Sequence, residues 1–420
     1  MSDIQRILEP AREIPLTADY DVVVVGGGMA GVAAAIAAAR RAVRVCLIER
    51  FCALGGMATL GNIAVWLPLC DGRGNQVIAG MAEELLNLSL ADLREDMTAA
   101  WFRHPPACWR GEGTREDRIQ QRYRASFNPS SFLLALEKLI VDSGVTLMYD
   151  TRVCAVHREG NRIRHVIVEN KSGRSALAAK VFIDTTGDAD VCFAAGEATE
   201  SLDSNVPAAW FYTLIDGELA LQKLTQPYDP HGGTECVDGP FFRGDTGDAV
   251  TAHLIESRKL LAKRLAEIRV KHLDDNVQPI LPAMLPNLRM TRRLVGQATV
   301  TEDDVHRWFD DTVGLGNDWR TAGPVYAIPF RALQGVHNVN LLAAGRCMSA
   351  AGYAWENLRA IAPCVVTGEA AGTAAALAVQ STDGDLHAVN VSVLQNQLRE
   401  QHVTLDRSLV GEQATQGGPR

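Results

Sequence analysis

No two cysteines in this chain are spaced as C-x-x-C, and the nine present (Cys46, Cys52, Cys70, Cys108, Cys154, Cys192, Cys236, Cys347 and Cys364) are an odd number scattered along its length. That excludes a disulfide framework, a zinc knot and an iron–sulfur cluster, each of which needs closely spaced thiolates. Reduced, mostly buried thiols in a cytoplasmic protein are the expectation, with no metal site. An unbroken apolar run long enough to span a bilayer is also absent. The nearest, Ile361 to Val379, is interrupted by Glu369 and Thr373, and its Gly and Ala content suits a closely packed internal helix. The N-terminal stretch carries Asp3, Glu9, Arg12 and Glu13 rather than a continuous apolar core, so neither a signal peptide nor a membrane anchor is expected. Positive charge is in deficit, with 41 Lys plus Arg against 50 Asp plus Glu and a net charge of −9. Nucleic acid is therefore not an expected partner, because affinity for that polyanion rests on clustered cations. What remains is ordinary globular material, 47% apolar and 22% charged in 420 residues, enough for two or three domains.

Hydrophobic patterning gives a coarse outline. Residues 1–20 read as an irregular lead-in. Asp21 to Val25 is a strand buried on both faces, Ala30 to Arg41 an alanine-rich helix and Val43 to Ile48 a second buried strand, so that 21–48 forms a compact βαβ unit. Residues 81–92 fit a helix, whereas 94–124 show no clear element. Asn128-Pro129 opens a helix through Val141, and Val145 to Tyr149 is a strand. Arg152 to His157, Arg162 to Glu169 and Ser175 to Ala179 then alternate with turn signals and predict a β-meander. Lys180 to Asp184 reads as a further buried strand. Residues 200–335 are richer in charge and proline, with a long amphipathic helix near 248–271, before a strand (Val339 to Ala343) and the apolar helix return. The division this predicts is a discontinuous nucleotide domain (1–60, 128–200 and 336–380), a mixed α+β cap (61–127 and 201–335) and a C-terminal segment (381–420) with a disordered end.

Gly26-Gly27-Gly28-Met29-Ala30-Gly31 matches G-x-G-x-x-G in the setting that motif requires: after a buried strand, opening a helix, with Glu49 ending the next strand 18 residues after Gly31. Gly26 permits the tight turn, Gly28 lets a pyrophosphate approach the backbone, and Gly31 allows helix and strand to pack closely. The helix start offers free N–H groups and the positive dipole end to phosphates. Glu49 suits a ribose hydroxyl and disfavours a 2′-phosphate. These residues alone leave FAD and NAD both open.

Further segments narrow the choice by resemblance. Asp21 to Glu49 followed by Leu54-Gly55-Gly56-Met57-Ala58-Thr59 resembles the start of FAD-dependent oxidoreductases of the glutathione-reductase-like superfamily. Ile183-Asp184-Thr185-Thr186-Gly187-Asp188 resembles its second flavin motif, Asn340 to Cys347 its third, and Arg359, Pro363 and Gly368-Glu369-Ala370-Ala371-Gly372 its closing segment. The group most resembled is the FAD-dependent oxidoreductase family, through Leu288 to Gly296, Tyr326 to Arg331 and Ala344 to Ser349. The flavin domain is similar to the fumarate reductase and succinate dehydrogenase type. The paired redox cysteines and second dinucleotide fingerprint of disulfide reductases are missing, as is the third motif of aromatic hydroxylases; Gly314-Leu315-Gly316-Asn317 has no third glycine.

The resemblance implies a Rossmann-like α/β FAD-binding domain with a parallel sheet and meander, plus the α+β substrate cap. It implies non-covalent FAD held by Gly26, Gly28, Met29, Ala30, Gly31, Glu49, Arg50, Gly55, Gly56, Met57, Ala58, Val153, Thr186, Gly187, Asp188, Gly345, Arg346 and Arg359. The expected reaction is hydride transfer between a small-molecule substrate and FAD, with an external electron acceptor; the oligomeric state stays open. Alternatives are an FAD monooxygenase drawing on external NAD(P)H, a flavin-fold protein that binds without catalysis, and a plain NAD dehydrogenase. Arg359, Arg289 and Tyr326 are the candidate catalytic residues. Arg359 suits charge near the flavin or a substrate carboxylate, against a phosphate contact or an ion pair. Arg289, Arg292 and Arg293 read as one strand, with 289 and 293 sharing a face, against a structural pairing with Asp303 or Asp304. Tyr326 and Tyr353 are candidate acid–base hydroxyls, against core packing. Glu356 is placed to orient Arg359. His104 and His231 read as surface histidines ahead of catalytic ones, and Cys347 as a buried inert thiol beside the third motif.

Overall fold

The computed structural model describes residues 7–8, 11–93, 103–273 and 275–411. The expected disordered end (413–420), most of the lead-in before residue 11 and the first part of 94–124, including Trp101, fall outside them.

The βαβ unit forms as β1 (Leu16–Val25), α1 (Met29–Ala39) and β2 (Val45–Ile48). The valine run is buried because strands flank β1 on both edges and helices cover the sheet. Contrary to the irregular lead-in expected, β1 begins at Leu16: its first half pairs with an extension of the meander, Leu16 opposite Ala176. That half is partly exposed, so no apolar run betrays it. β3 (Val65–Trp66) pairs with β4 (Ala125–Ser126), and between them lie α2 (Met81–Ser89) and α3 (Arg115–Gln120). The latter is started by a Thr114/Asp117 capping box. α4 (Pro129–Asp142) has Asn128 accepting from the Ser130 N–H at 3.0 Å and proline in its first turn.

β5 (Thr146–Met148) is followed by β6 (Arg152–Glu159), β7 (Arg162–Asn170) and β8 (Gly173–Asp184). The meander is present, but its third strand and the buried strand expected at 180–184 are one continuous β8. Its first half pairs antiparallel with β7 and its second half parallel with a later strand, so the pattern changes while the backbone does not break.

α5 (Asp190–Ala194), β9 (Thr199–Ser201), β10 (Phe211–Ile215) and β11 (Glu218–Gln222) lead to α6 (Gly247–Lys271) and β12 (Val277–Pro282). β11, β10 and β12 make a small antiparallel sheet, and α6 covers it through Phe211, Leu265, Ile268 and Val277, a core of its own. β13 (Arg292–Leu294) pairs with β9, and β14 (Thr312–Asn317) forms a hairpin with β15 (Val325–Pro329). β16 (Leu341–Ala343), α7 (Gly352–Leu358), α8 (Ile361–Ser381) and α9 (Val391–Glu400) complete the chain. The polar segment after Ser381 packs through α9, which buries Leu394 and Leu398.

The parallel strands run in the order β5-β2-β1-β8-β16, so the carboxyl ends of β1, β2, β8 and β16 open on one edge. The fold class is α/β, a parallel-rich central sheet with additional antiparallel sheets. α8 lies across α1, and the alanine and glycine content of both explains their closeness. A Cβ on Gly368 would stand 2.2 Å from the Ala30 carbonyl oxygen, and one on Gly372 2.1 Å from that of Ala34. α8 is long and apolar enough to cross a membrane, but 94% of its most apolar window is buried inside the protein.

Candidate active site

At the carboxyl end of β1 the chain turns at Gly26 (φ +106°), where a Cβ would meet the Thr185 carbonyl oxygen at 2.5 Å. Gly31 is closer still: a Cβ there would lie 1.8 Å from the Gly26 oxygen, so only glycine lets α1 sit this near to β1 and β8. A Cβ on Gly28, by contrast, would meet nothing within 4 Å, so the backbone is open at that point. No side chain caps α1 and its first turn holds no acidic residue, which leaves the helix start free to receive an anion. The turn around 55–58 lies against this opening. Gly28 and Gly55 form a bridge, and a Cβ on Gly56 would stand 3.2 Å from the Gly28 Cα. Met57 and Ala58 continue that turn. Glu49 ends β2 with its carboxylate accepting from the N–H of Gly27 at 2.6 Å and of Phe51 at 2.8 Å. Burial pushes its pKa up against those two bonds. Arg50 packs on Phe51, and Val153 is the second residue of β6, two after Thr151, whose N–H bonds the Glu49 carbonyl.

The second and third motifs are locked together by Arg346. Its Nε donates to the Gly187 carbonyl at 2.6 Å, one Nη to Leu288 at 2.6 Å and the other to Asp188 at 2.8 Å. Gly187 is left-handed (φ +84°), and a Cβ there would press on this guanidinium at 2.9 Å. Gly345 (φ +70°) is equally tight against the first motif, since a Cβ would lie 2.8 Å from that of Ala30. Thr186 and Asp184 brace the turn by a 2.7 Å hydroxyl–carboxylate bond. Cys347 is fully buried, and its sulfur accepts from the N–H groups of Gly187 and Ala189. Burial and the neighbouring Asp184 push its thiol pKa well up, so it is a packed, protonated thiol.

Beside this edge lies a cluster of arginines and aromatics. Arg359, the C-cap of α7, donates to the Glu356 carboxylate from Nε at 2.7 Å and pairs with it again through Nη2. Arg320 pairs with the other oxygen of Glu356 and bonds the Tyr228 hydroxyl at 2.6 Å; that hydroxyl also bonds Glu356 at 3.1 Å. Burial raises the Glu356 carboxyl, but the two guanidiniums outweigh it and hold it below its ordinary value. Arg289 lies flat on Tyr228, its carbon 3.9 Å from the ring centroid, and donates to Thr225 at 2.7 Å. Burial and then the Arg359 charge disfavour its cation. Cys364 ties the cluster to the nucleotide edge, bonding the Arg359 carbonyl at 3.2 Å and facing Gly345. Thr291, bonded to Asp188 at 2.7 Å, does the same for the segment carrying Arg289.

Two expectations change here. Arg289 is not on a strand with Arg292 and Arg293. Only 292–294 are extended, because the Asn205 side chain takes the Arg289 N–H at 2.7 Å and the Met290 carbonyl at 2.8 Å in place of a strand partner. Nor do Arg292 and Arg293 pair with Asp303 or Asp304. The β13–β9 register sets Arg293 on Glu200, and Arg292 bonds Asp190 and the Asp188 carbonyl. Glu356 does orient Arg359. Tyr326 is buried in β15 with its hydroxyl facing Asn357, and burial raises its pKa, so it holds its proton. Tyr353 stacks on His231, which is 3.5 Å from Glu302. His104 has a buried Nε2 with no hydrogen-bond partner among the described residues. Arg320, Tyr228 and Trp319 were not legible beforehand; they sit on irregular segments with no spacing relation to any motif.

The residues present fit FAD: an open, uncapped helix start, an acidic residue at the end of β2, and second and third motifs folded over the same edge. The family model for FAD dependent oxidoreductases matches residues 21–205 and 246–398. No curated protein matches the chain. Among solved structures, it is similar to a geranylgeranyl bacteriochlorophyll reductase-like protein from Thermoplasma acidophilum, at 13% identity and a TM-score of 0.48 over 94% of this chain and 92% of that one. It is similar to the p-nitrophenol 4-monooxygenase PnpA from Pseudomonas putida at 14% identity, TM-score 0.45, over 92% and 88%. A flavocytochrome c3 fumarate reductase in its open conformation aligns at 13% identity, TM-score 0.41, over 86% and 78%.

Proposed function

The chain belongs to the FAD dependent oxidoreductase family, and from that premise we propose that it transfers a hydride between a small organic substrate and non-covalently held FAD, with an external electron acceptor closing the cycle. FAD, when bound, supplies the two-electron chemistry. The open backbone at Gly28 and the start of α1 would receive the pyrophosphate, flanked by Met29, Ala30, Gly31 and the 55–58 turn, and Glu49 would accept from the ribose with Arg50 and Val153 beside it. Thr186, Gly187, Asp188, Gly345 and Arg346 would line the remaining length of the cofactor. Arg359 holds positive charge toward the reacting end, Glu356 fixes the direction in which it points, and Arg289 belongs to the same cluster through Tyr228. Tyr326 keeps its proton across the neutral range and is the candidate donor in the acid–base step.

The observation that carries this reading is the convergence of four separate chain segments and an arginine cluster on one sheet edge. The visible spectrum of the purified protein, before and after heat release of the cofactor, tests it. The expected result is a flavin spectrum that moves to the supernatant, and bleaching by substrate without air. Bleaching only by NAD(P)H, with oxygen consumed on an aromatic substrate, would replace it with a monooxygenase. A colourless protein that takes up no added FAD would overturn it.

A further inference from the structure

We propose that the arginine cluster around Tyr228 recognises a carboxylate on the substrate, received by Arg289 with Arg320 as the second donor. The assignment deepens the oxidoreductase reading, on which the word substrate rests. Arg289 and Arg320 each have a buried Nη1 without a hydrogen-bond partner among the described residues. Buried guanidinium N–H groups are costly to leave without an acceptor. Neither arginine can swing away to find one. Arg289 is held by the face of Tyr228 and by Thr225, and Arg320 by the face of Trp319, 3.7 Å from the ring centroid, and by Glu356. Stacking occupies the flat faces of both groups and leaves only in-plane N–H bonds for a partner, the geometry in which a guanidinium reads a carboxylate.

Among the described residues, no carboxylate fills that role. Both oxygens of Glu356 are taken, one by Arg320 and Tyr228 and the other by Arg359. Asp318 is bound to the N–H groups of Arg320 and Thr321 and to the Thr321 hydroxyl. Arg320 and Arg359 share the Glu356 carboxylate, and Arg289 is the guanidinium of the three with no carboxylate partner among the described residues. A monoanion with two oxygens suits one unpaired cation and two separate N–H ends better than a phosphate dianion does. The place is also right. Leu288 and Thr291, on either side of Arg289, are bonded to Arg346 and Asp188 of the flavin motifs.

Titration calorimetry on the purified holoenzyme tests this with benzoate, the isosteric neutral benzamide and inorganic phosphate, on wild type, R289Q and R289K. Benzoate is expected to bind at least tenfold more tightly than benzamide or phosphate. R289Q should lose at least tenfold in benzoate affinity, and R289K less. Benzamide as tight as benzoate, phosphate tighter than either, no saturable heat with benzoate, acetate or succinate, or an unchanged R289Q would each overturn the proposal. The comparison of ligands on wild type needs no variant to fold. FAD content, read separately from the visible spectrum, keeps the two readings apart. Carboxylate selectivity in a protein that takes up no FAD would sustain the site and sink the oxidoreductase reading, whereas a flavoprotein without selectivity would do the reverse.

Discussion

Replacing Gly372 by alanine tests the packing on which the nucleotide edge depends. In an open helix the change would stabilise by about 1 kcal/mol, because alanine loses less backbone entropy than glycine. Here the added Cβ would stand 2.1 Å from the Ala34 carbonyl oxygen, where ordinary contact begins at 3.4 Å. The helices must therefore part by up to 3.4 − 2.1 = 1.3 Å, and since both contacting groups are fixed backbone rather than flexible side chain, no rotamer change relieves it. Overpacking of this kind costs about 1–3 kcal/mol, with rigid contacts at the upper end. Offsetting ~3 against ~1 leaves a net loss of about 2 kcal/mol, a fall in Tm of ~2 °C for a chain of this length. Differential scanning calorimetry of wild type and G372A checks this. An unchanged or higher Tm would mean that α1 and α8 do not approach as described, and the account of the two glycines would fall. G368A makes a contrast: its Cβ meets the Ala30 oxygen at 2.2 Å, in the first turn of α1. It should lower FAD affinity as well as stability, whereas G372A acts one turn further from the cofactor.

Three further outcomes follow from the same geometry. Glu369 is buried inside α8, and burial pushes its pKa from an ordinary 4.5 up to about 8 despite the Met81 N–H it accepts. Between those values the folded chain keeps a proton the unfolded chain has lost, so stability is greatest below pH 4.5 and declines as pH rises toward 8. E369Q should flatten Tm against pH over that window and exceed wild type at pH 8; an unchanged slope would show that Glu369 is ionised when folded. R346K should lose at least ~10-fold in FAD affinity by equilibrium dialysis, since an ammonium cannot serve three acceptors set in a guanidinium plane; full rescue by lysine would refute the bridging role. E356Q removes the charge that holds Arg320 and Arg359 together. It should cut turnover by ~10-fold or more with FAD content intact, and retained turnover would separate Glu356 from the reacting end.

The clearest sequence signals were those of local backbone chemistry. The valine runs, the glycine fingerprint, the Asn128-Pro129 cap and the alanine-rich helices each depend on a few adjacent residues, and each formed where the pattern placed it. β8 and β1 show the limit. Their outer halves are part-exposed, so periodicity fades although hydrogen bonding continues. The arginines show it again, because the strand pattern at 289–293 was outcompeted by a single side chain, Asn205, 84 residues away from Arg289.

The sequence by itself determined the nucleotide edge, because that rests on glycines and a helix start whose conformations are set within a few residues, while the family and FAD were legible only through the resemblance of four ordered motifs. Only the tertiary structure decided which arginines gather around Glu356 and Tyr228. Arg289, Arg320 and Arg359 are far apart along the chain, and an arginine carries no local mark of whether it will meet a carboxylate, a ring or a substrate. Burial and neighbours assign that role: Glu200 and Asp190 neutralise Arg293 and Arg292, while Arg289 comes to rest on Tyr228 with one N–H end unmatched.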